Sequence, residues 1–335
     1  MTTARFVVTA ARRTPTPQPV APSTLDIGVD VTPLPSATGS AAGARAVPVL
    51  RIAVWQVAVV LGFVAVGRGW VVGVIAGGAA LGLLLVSAVR VGGVWLSSLA
   101  GTWVGFVTRR RVHAGQHLPL PRGTAITSEG VLAGAEGLTV VARTQKWIFP
   151  QVEADADGPE LDLQLVVHRG PRQARPGGWL AISVRRDADL GEDDTLRVTL
   201  GNVLRRLRKS GHDLGALSAV ELRPMLAGMA HAGPSREHWR SWRSGPVTQV
   251  TLRVAGATTT TLDRLLAEGR DAAVTIAIRS TGDGVLRIAA TSPAAAGLAV
   301  ARIQRLGAHL GVRLHRLDGR HQPALLASRP IGGTQ

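Results

Sequence analysis

The stretch PVTQVTLRVAGATTTTLDRLLAEG, residues 246–269, decides the fold of the second half of the chain. Its first nine residues are rich in β-branched residues and alternate polar with apolar side chains from Gln249 to Val254, which predicts a strand. The threonines that follow predict a capped helix. The elements after it are predicted as two strands joined by TGDG, a helix and a last strand, at residues 272–280, 284–292, 293–311 and 312–317. The order β-α-β-β-α-β is that of a ferredoxin-like unit.

The part of the chain before this unit predicts mixed structure as well. Short runs of β-branched or alternating apolar residues predict strands at 138–143, 161–167 and 179–186. Two helices are predicted next, at about 194–210 and 218–230, and Pro224 should kink or shorten the second. We therefore expect a mixed α/β domain in two parts, 109–235 and 236–335, with AGPSREHWRSWRSG, residues 232–245, as the linker between them.

Two apolar segments precede this domain. GWVVGVIAGGAALGLLLVSAVR, residues 69–90, has no charge before its last residue, and residues 49–67 are apolar apart from Arg51 and Gln56. A bilayer core about 30 Å thick is crossed by roughly 20 apolar residues in a helix. The pair predicts a two-helix transmembrane hairpin within residues 48–108. Its helix-packing face is expected at the small residues of the second segment, which are Gly69, Gly73, Gly77 and Gly82.

Residues 91–108 form a third, less apolar segment. Helical spacing places Trp95, Leu99, Trp103 and Phe106 on one face. We predict that this segment continues the second transmembrane helix out of the lipid, with Trp95 and Trp103 as interface residues at the membrane surface or against a partner. The alternative is a third span, which would move the following domain to the other side of the membrane.

Arginines near the apolar segments predict the topology. Arg45 and Arg51 flank the first segment and Arg109 follows the second, whereas the connection carries only Arg68. The positive-inside rule then places both termini and the large domain in the cytoplasm of a two-pass plasma-membrane protein. Residues 1–47 are rich in Pro, Ala, Ser and Thr and are predicted to be a disordered tail.

The composition narrows the function classes. The chain has 335 residues, a net charge of +16 and no cysteine, so disulfides, thiolate zinc sites and cysteine nucleophiles are excluded. The positive charge predicts an acidic partner, either anionic membrane lipids or an acidic protein surface. Aromatic residues make up only 4%, and no basic run is interleaved with stacking rings, which disfavours nucleic acid.

No motif predicts a metal, a cofactor or a catalytic centre. His113 and His117 have no third ligand nearby, and EADADGPELD at 153–162 lacks the spacing of a calcium loop. Asp193 and Asp194, in an acidic cluster at 189–194, are explained by the start of a helix. The stretch REHWRSWRSGP, by contrast, predicts a protein interface or a seal between the two halves, through Arg236, Trp239 and Trp242.

The order of these parts resembles EccE, the small membrane subunit of actinobacterial type VII (ESX) secretion systems. The resemblance rests on the tail, the apolar hairpin, the Trp-bearing exit that ends at Arg109 to Arg111, and a Glu-x-Trp stretch, Glu237 and Trp239, before a strand. It implies a non-catalytic subunit of the inner-membrane core complex, assembled with EccB, EccC and EccD. The alternative hypothesis is a membrane-anchored, glycosyltransferase-like enzyme that uses the acidic cluster.

Overall fold

The computed structural model describes residues 49–66, 69–91, 94–109, 111–113, 120–121, 123–144, 161–173, 175–186, 193–231, 233–280, 282 and 284–331. The helices are α1 Val49–Val66, α2 Trp70–Ala88, α3 Leu96–Thr108, α4 Asp193–Lys209, α5 Ala219–Ala230, α6 Thr259–Ala267, α7 Pro293–His309 and α8 His321–Ala327. The strands are β1 Arg90–Val91, β2 Val94–Trp95, β3 Val112–His113, β4 Ala125–Ile126, β5 Val131–Gly134, β6 Gly137–Thr144, β7 Leu161–Arg169, β8 Gly177–Arg185, β9 Gly215–Ala216, β10 Ser235–His238, β11 Ser241–Ser244, β12 Val247–Ala255, β13 Ala273–Arg279, β14 Gly284–Ala290 and β15 Arg313–Arg316.

One antiparallel sheet of 13 strands organises the described part of the chain after α3. Its order is β3-β10-β11-β12-β14-β13-β7-β8-β6-β5-β4, and β15 and β9 pair with β12 and β6. Strand β14 lies between β12 and β13, and β15 lies on the other side of β12. The elements from β12 to β15 therefore have the β-α-β-β-α-β order that the sequence predicts, with the strand arrangement of a ferredoxin-like unit.

The two predicted parts of the domain share this sheet. Strand β7 of the first part pairs with β13 of the second, with Thr275 opposite His168 and Ile276 opposite Val167. The stretch predicted as a linker holds β10 and β11, which form a hairpin in the same sheet. Its residues alternate exposed and buried side chains, as strands of a sheet do, and the linker prediction is wrong.

Both faces of the sheet are covered by helices. On one face, leucines, isoleucines and valines of the strands pack against α4, α6 and α7 in the largest hydrophobic core. The buried side of α4 has the spacing expected of an amphipathic helix, with Leu196, Leu200, Val203 and Leu207. The opposite face carries a smaller core under α5, which includes Leu222 and Leu226, and α8 packs there against β11, β12 and β14.

The predicted transmembrane hairpin is not supported by the structure. Helices α1 and α2 pack against each other and contain 18 and 19 residues. No helix among the described residues is both long and apolar enough to span a bilayer. The membrane-anchored fold class and the two-pass plasma-membrane location with cytoplasmic termini are therefore wrong predictions.

The predicted continuation of the second helix through 91–108 is also wrong. Helix α2 ends at Ala88, and the antiparallel pair β1 and β2 separates it from α3, with Arg90 opposite Trp95. Helix α3 has only 13 residues, so the alternative of a third span fails too. The predicted tail, residues 1–47, lies outside the described residues.

Candidate interaction surface

Large apolar side chains cover the outside of the α1–α2 hairpin. Trp55 is 58% exposed, Phe63 77% and Trp70 82%. Other exposed side chains of the hairpin are those of Val57, Val59, Val60, Val71, Val72, Val74, Ile75 and Leu81. A helix that is apolar on every side is normally buried, and contiguous exposed apolar patches beyond a few hundred Å² mark interaction sites.

The glycines predicted as a packing face lie open. A Cβ atom added at Gly69, Gly77 or Gly82 would meet nothing within 4 Å, and the same holds for Gly62 on α1. Gly73 is half-buried in α2. The open positions of this glycine face are thus not filled by the neighbouring helix, and another backbone can approach them closely.

Helix α3 connects the hairpin to the sheet domain through an aromatic contact. The ring of Phe106, which is buried, meets the ring of Trp239 edge to face, with centroids 5.3 Å apart and an interplanar angle of 85°. The guanidinium of Arg111 lies 5.2 Å from the centroid of the Phe106 ring. Trp239 therefore packs a helix onto the domain, a contact that differs from the seal between the two halves of the domain that the sequence suggested.

Polar contacts surround this aromatic pair. Arg109 donates to the carbonyl oxygen of Gly319 and lies 3.9 Å from the carboxylate of Glu237, measured from Nη2 to Oε2. Arg320 donates from Nη2 to the hydroxyl of Thr102 over 2.9 Å. Thr102, Phe106 and Arg109 follow the i, i+4, i+7 spacing of one helix face, so α3 docks through this face.

Glu237 is the buried polar centre of the contact. Its side chain is fully buried, and Oε1 accepts a hydrogen bond of 3.1 Å from the backbone N–H of Gln322 at the start of α8. Its own N–H donates to the carbonyl of Arg111 over 2.9 Å. The Glu-x-Trp stretch therefore links three segments: the end of α3, strand β10 and the start of α8.

The loop before α8 supports Trp239 from the other side. The N–H of Gly319 donates to the carbonyl of Trp239 over 2.7 Å. Gly319 has φ = +70°, and a Cβ there would lie 2.5 Å from the Trp239 ring. The position requires glycine for both reasons.

Two titratable side chains in and next to this loop, Asp318 and His321, have shifted pKa values. Asp318 forms an ion pair of 2.8 Å with Arg316, yet burial raises the pKa of its carboxyl. His321 is fully buried and shares a hydrogen bond of 2.9 Å with Thr251. Burial, and then the charge of Arg316, lower the pKa of His321 to about 4, so its imidazole is neutral at pH 7.

The remaining predicted interface residues are dispersed. Trp103 is 58% exposed on α3, and Arg236 is exposed on β10. Trp242 is buried in β11, opposite Glu237 on the neighbouring strand, so it is a core residue. Trp95 lies in β2, and its side chain is outside the described part of the structure. Sequence reasoning missed Thr102, Gly319 and Arg320, which lie far from the Trp stretch along the chain.

The acidic cluster is used in part by a helix start. Asp193 pairs with Arg186, and Asp194 lies 3.5 Å from Arg197, both in the first turn of α4. Residues 187–192 and most of EADADGPELD lie outside the described residues. Within the described ranges, no three His, Asp or Glu side chains are grouped as a metal site.

Comparison with protein-family models gives no match to this chain, and comparison with curated proteins gives none either. Support for a function therefore comes from the contacts of α3 and from the exposed surface of the hairpin. They form a surface suited to docking: an apolar helical hairpin, fixed through α3 to a rigid sheet domain by Trp239, Glu237 and Gly319.

Proposed function

We propose that the protein is a non-catalytic structural subunit of a multiprotein assembly, and that the α1–α2 hairpin is its docking element. One observation carries the proposal: the hairpin exposes the side chains of two tryptophans, one phenylalanine and eight aliphatic residues. Removing such surface from water contributes roughly 25 cal/mol per Å². A partner subunit that covers the hairpin would gain much of that free energy.

The resemblance to EccE suggests which assembly this is. The proposed partners are subunits of the EccB, EccC and EccD type in a type VII secretion core complex. The Glu-x-Trp stretch that carries the resemblance is also the stretch that fixes α3 to the domain, through Glu237 and Trp239. A hairpin held in this way is presented to partners in a defined orientation.

Substitutions at the open glycines test the proposal. Gly77→Leu and Gly82→Leu should leave the isolated chain folded, since a Cβ at either site meets nothing within 4 Å. Both should block close approach by a partner helix. Gly297→Leu on α7 is the matched control, because Gly297 is also an exposed helical glycine with open space around it.

The readout is affinity purification of the tagged chain from its host in mild detergent, followed by mass spectrometry. The wild type and Gly297→Leu should recover EccB-, EccC- and EccD-type subunits, and the double variant Gly77→Leu, Gly82→Leu should lose them. A complex that survives the double variant would refute docking through the glycine face. Recovery of a complex without those subunits would refute the secretion assignment.

A further inference from the structure

The second face of the sheet, under α5 and α8, holds a buried polar layer. Along β7, β12, β13 and β14, every second residue points to this face, and the residues between them point into the main core. The buried polar members of the layer include Gln164, Gln249, Thr251, Thr275 and Arg287, and Asp162 is buried on the same face farther along β7. A polar layer of this extent between a sheet and its covering helices is costly unless every group finds a partner.

Arg287 lies in the middle of this layer. It is on β14, between Thr251 of β12 and Thr275 of β13, and is 1% exposed. Nη2 donates to the hydroxyl of Thr275 over 3.0 Å, and Nη1 lies 3.5 Å from Oε1 of Gln249. Both partners are neutral. Within the described part of the chain, the buried Nε–H of Arg287 has no acceptor.

A second arginine adds to the positive charge. Arg329, just after α8, is also 1% exposed. Burial lowers the pKa of Arg287 to about 10, while burial and then the charge of Arg287 lower the pKa of Arg329 to about 9. Both guanidiniums are still charged at pH 7. Two like charges within interaction range of each other favour an anion between or beside them.

Two histidines connect this layer to the surface. His168 at the end of β7 and His231 at the end of α5 are half-buried. His168 shares a hydrogen bond of 2.9 Å with Thr275, the same hydroxyl that accepts from Arg287. Burial and the charge of Arg287 lower the pKa of each histidine to about 4, so both rings are neutral and can donate one N–H.

The last turn of α5 places His231 beside the arginine layer. Gln249, which faces Arg287, also donates from Nε2 to the carbonyl of Ala230 over 3.4 Å. His231 has φ = 49°, in the left-handed region, and its buried Nε2 has no hydrogen-bond partner among the described residues. An unsatisfied imidazole nitrogen and an unsatisfied guanidinium N–H thus occur in one cluster that reaches the surface.

We propose that this cluster is a binding site for a small oxyanion such as inorganic phosphate, with Arg287 Nε and His231 Nε2 as its donors. The oxyanion enters beside the end of α5, where His168 and His231 reach solvent. Charge-assisted hydrogen bonds to its oxygens satisfy both nitrogens and offset the paired positive charges. The site is independent of the docking role of the hairpin, since its residues lie in the sheet domain.

Phosphate binding to the full chain, measured by equilibrium dialysis or titration calorimetry at constant ionic strength, tests the proposal. The wild type should bind one phosphate per chain saturably, and Arg287→Gln should bind at least about 10-fold more weakly. Arg305→Gln is the matched control, because Arg305 is exposed on α7 and its loss removes the same charge. A chain of net charge +16 that attracts phosphate only by its overall field would respond equally to both substitutions.

A second variant guards against misfolding of Arg287→Gln. His231→Asn keeps a residue that tolerates the left-handed backbone, and it removes the imidazole donor. It should fold, as checked by circular dichroism, and should also weaken phosphate binding. The proposal is overturned if the wild type shows no saturable phosphate binding, or if His231→Asn binds as the wild type does.

Discussion

Phe106 and Trp239 meet edge to face at 5.3 Å, and through this contact a helix from the N-terminal part of the chain is fixed to the sheet domain. Trp239 lies in the turn between β10 and β11. The N–H of Gly319 donates a hydrogen bond to the carbonyl of Trp239 and so stabilises this turn. The attachment of α3 to the sheet therefore rests on this aromatic pair, on the polar contacts around it and on the pairing of β3 with β10.

A double-mutant cycle should measure this aromatic contact. Phe106→Ala and Trp239→Ala should each destabilise the docking of α3, and their coupling free energy should be about 0.5–1.5 kcal/mol. Urea unfolding gives the stability, and hydrogen exchange over residues 96–113 reports release of the helix. Trp103→Ala on the exposed side of α3 is the control and should change neither. Strict additivity of the two substitutions would contradict the contact.

Substitution of alanine for glycine should reduce the free energy of unfolding more at Gly319 than at Gly211. Gly319→Ala and Gly211→Ala both place a side chain at positive φ, which costs about 1 kcal/mol. Only at Gly319 does the new Cβ also collide with the Trp239 ring, whereas Gly211 has open space. We expect Gly319→Ala to be less stable than Gly211→Ala by at least about 1 kcal/mol in thermal or urea unfolding. Equal costs would show that Trp239 is not packed on this loop.

The Glu237 carboxylate should matter more as an acceptor than as a charge. Glu237→Gln keeps an oxygen for the N–H of Gln322 and loses only the 3.9 Å attraction to Arg109. Glu237→Ala leaves the buried N–H without an acceptor, which costs about 1–3 kcal/mol. The predicted order of stability is wild type, Glu237→Gln, then Glu237→Ala, measured by urea unfolding. A glutamine variant as unstable as the alanine variant would reverse this assignment.

Histidines that are neutral in the folded chain should make the fold sensitive to acid. The pKa values of His168, His231 and His321 are about 4 in the folded chain, against 6.5 ordinarily. Between these values the unfolded chain binds more protons, so the histidine contribution to stability is complete above pH 6.5 and is lost as the pH falls toward 4. The slope from three histidines is at most about 4 kcal/mol per pH unit.

Urea unfolding between pH 7.5 and 4.5 measures this slope. The free energy of unfolding should fall steadily below pH 6.5, and His321→Asn should flatten the profile because one titrating group is removed. A stability that is constant from pH 7 to 5 would show that these imidazoles are solvated in the folded chain.

Local patterns predicted the elements of the sheet domain well. The strand alternation around Val250 and Leu252, the capped helix at Thr258 and the amphipathic α4 are all properties of neighbouring residues. The capping box at Ser218 is present, but the predicted shortening at Pro224 is wrong, because α5 continues through it to Ala230. Such signals act within a turn or a strand pair, so one sequence reveals them.

Contacts between residues far apart in the chain could not be predicted from these local patterns. Alternation predicts that Gln249 and Thr251 face solvent, but α5 and α8 cover this face and both side chains are buried. The docking of α3 depends on Gly319 and Arg320, which no spacing connects to Phe106. The transmembrane prediction was wrong for a related reason. The apolar content of a segment shows that it favours an apolar environment, but it does not show whether that environment is lipid or protein.

The pairing of β7 with β13 has a consequence for biosynthesis. Both strands are covered on each face, and each lies between two neighbours in the finished sheet. During translation β7 leaves the ribosome more than a hundred residues before β13, and its unpaired amide edge is meanwhile open to strands of other nascent chains. The last third of the polypeptide thus acts as the partner that protects the middle third from aggregation, and chains that stop short of β13 are expected to be substrates for chaperones and proteases.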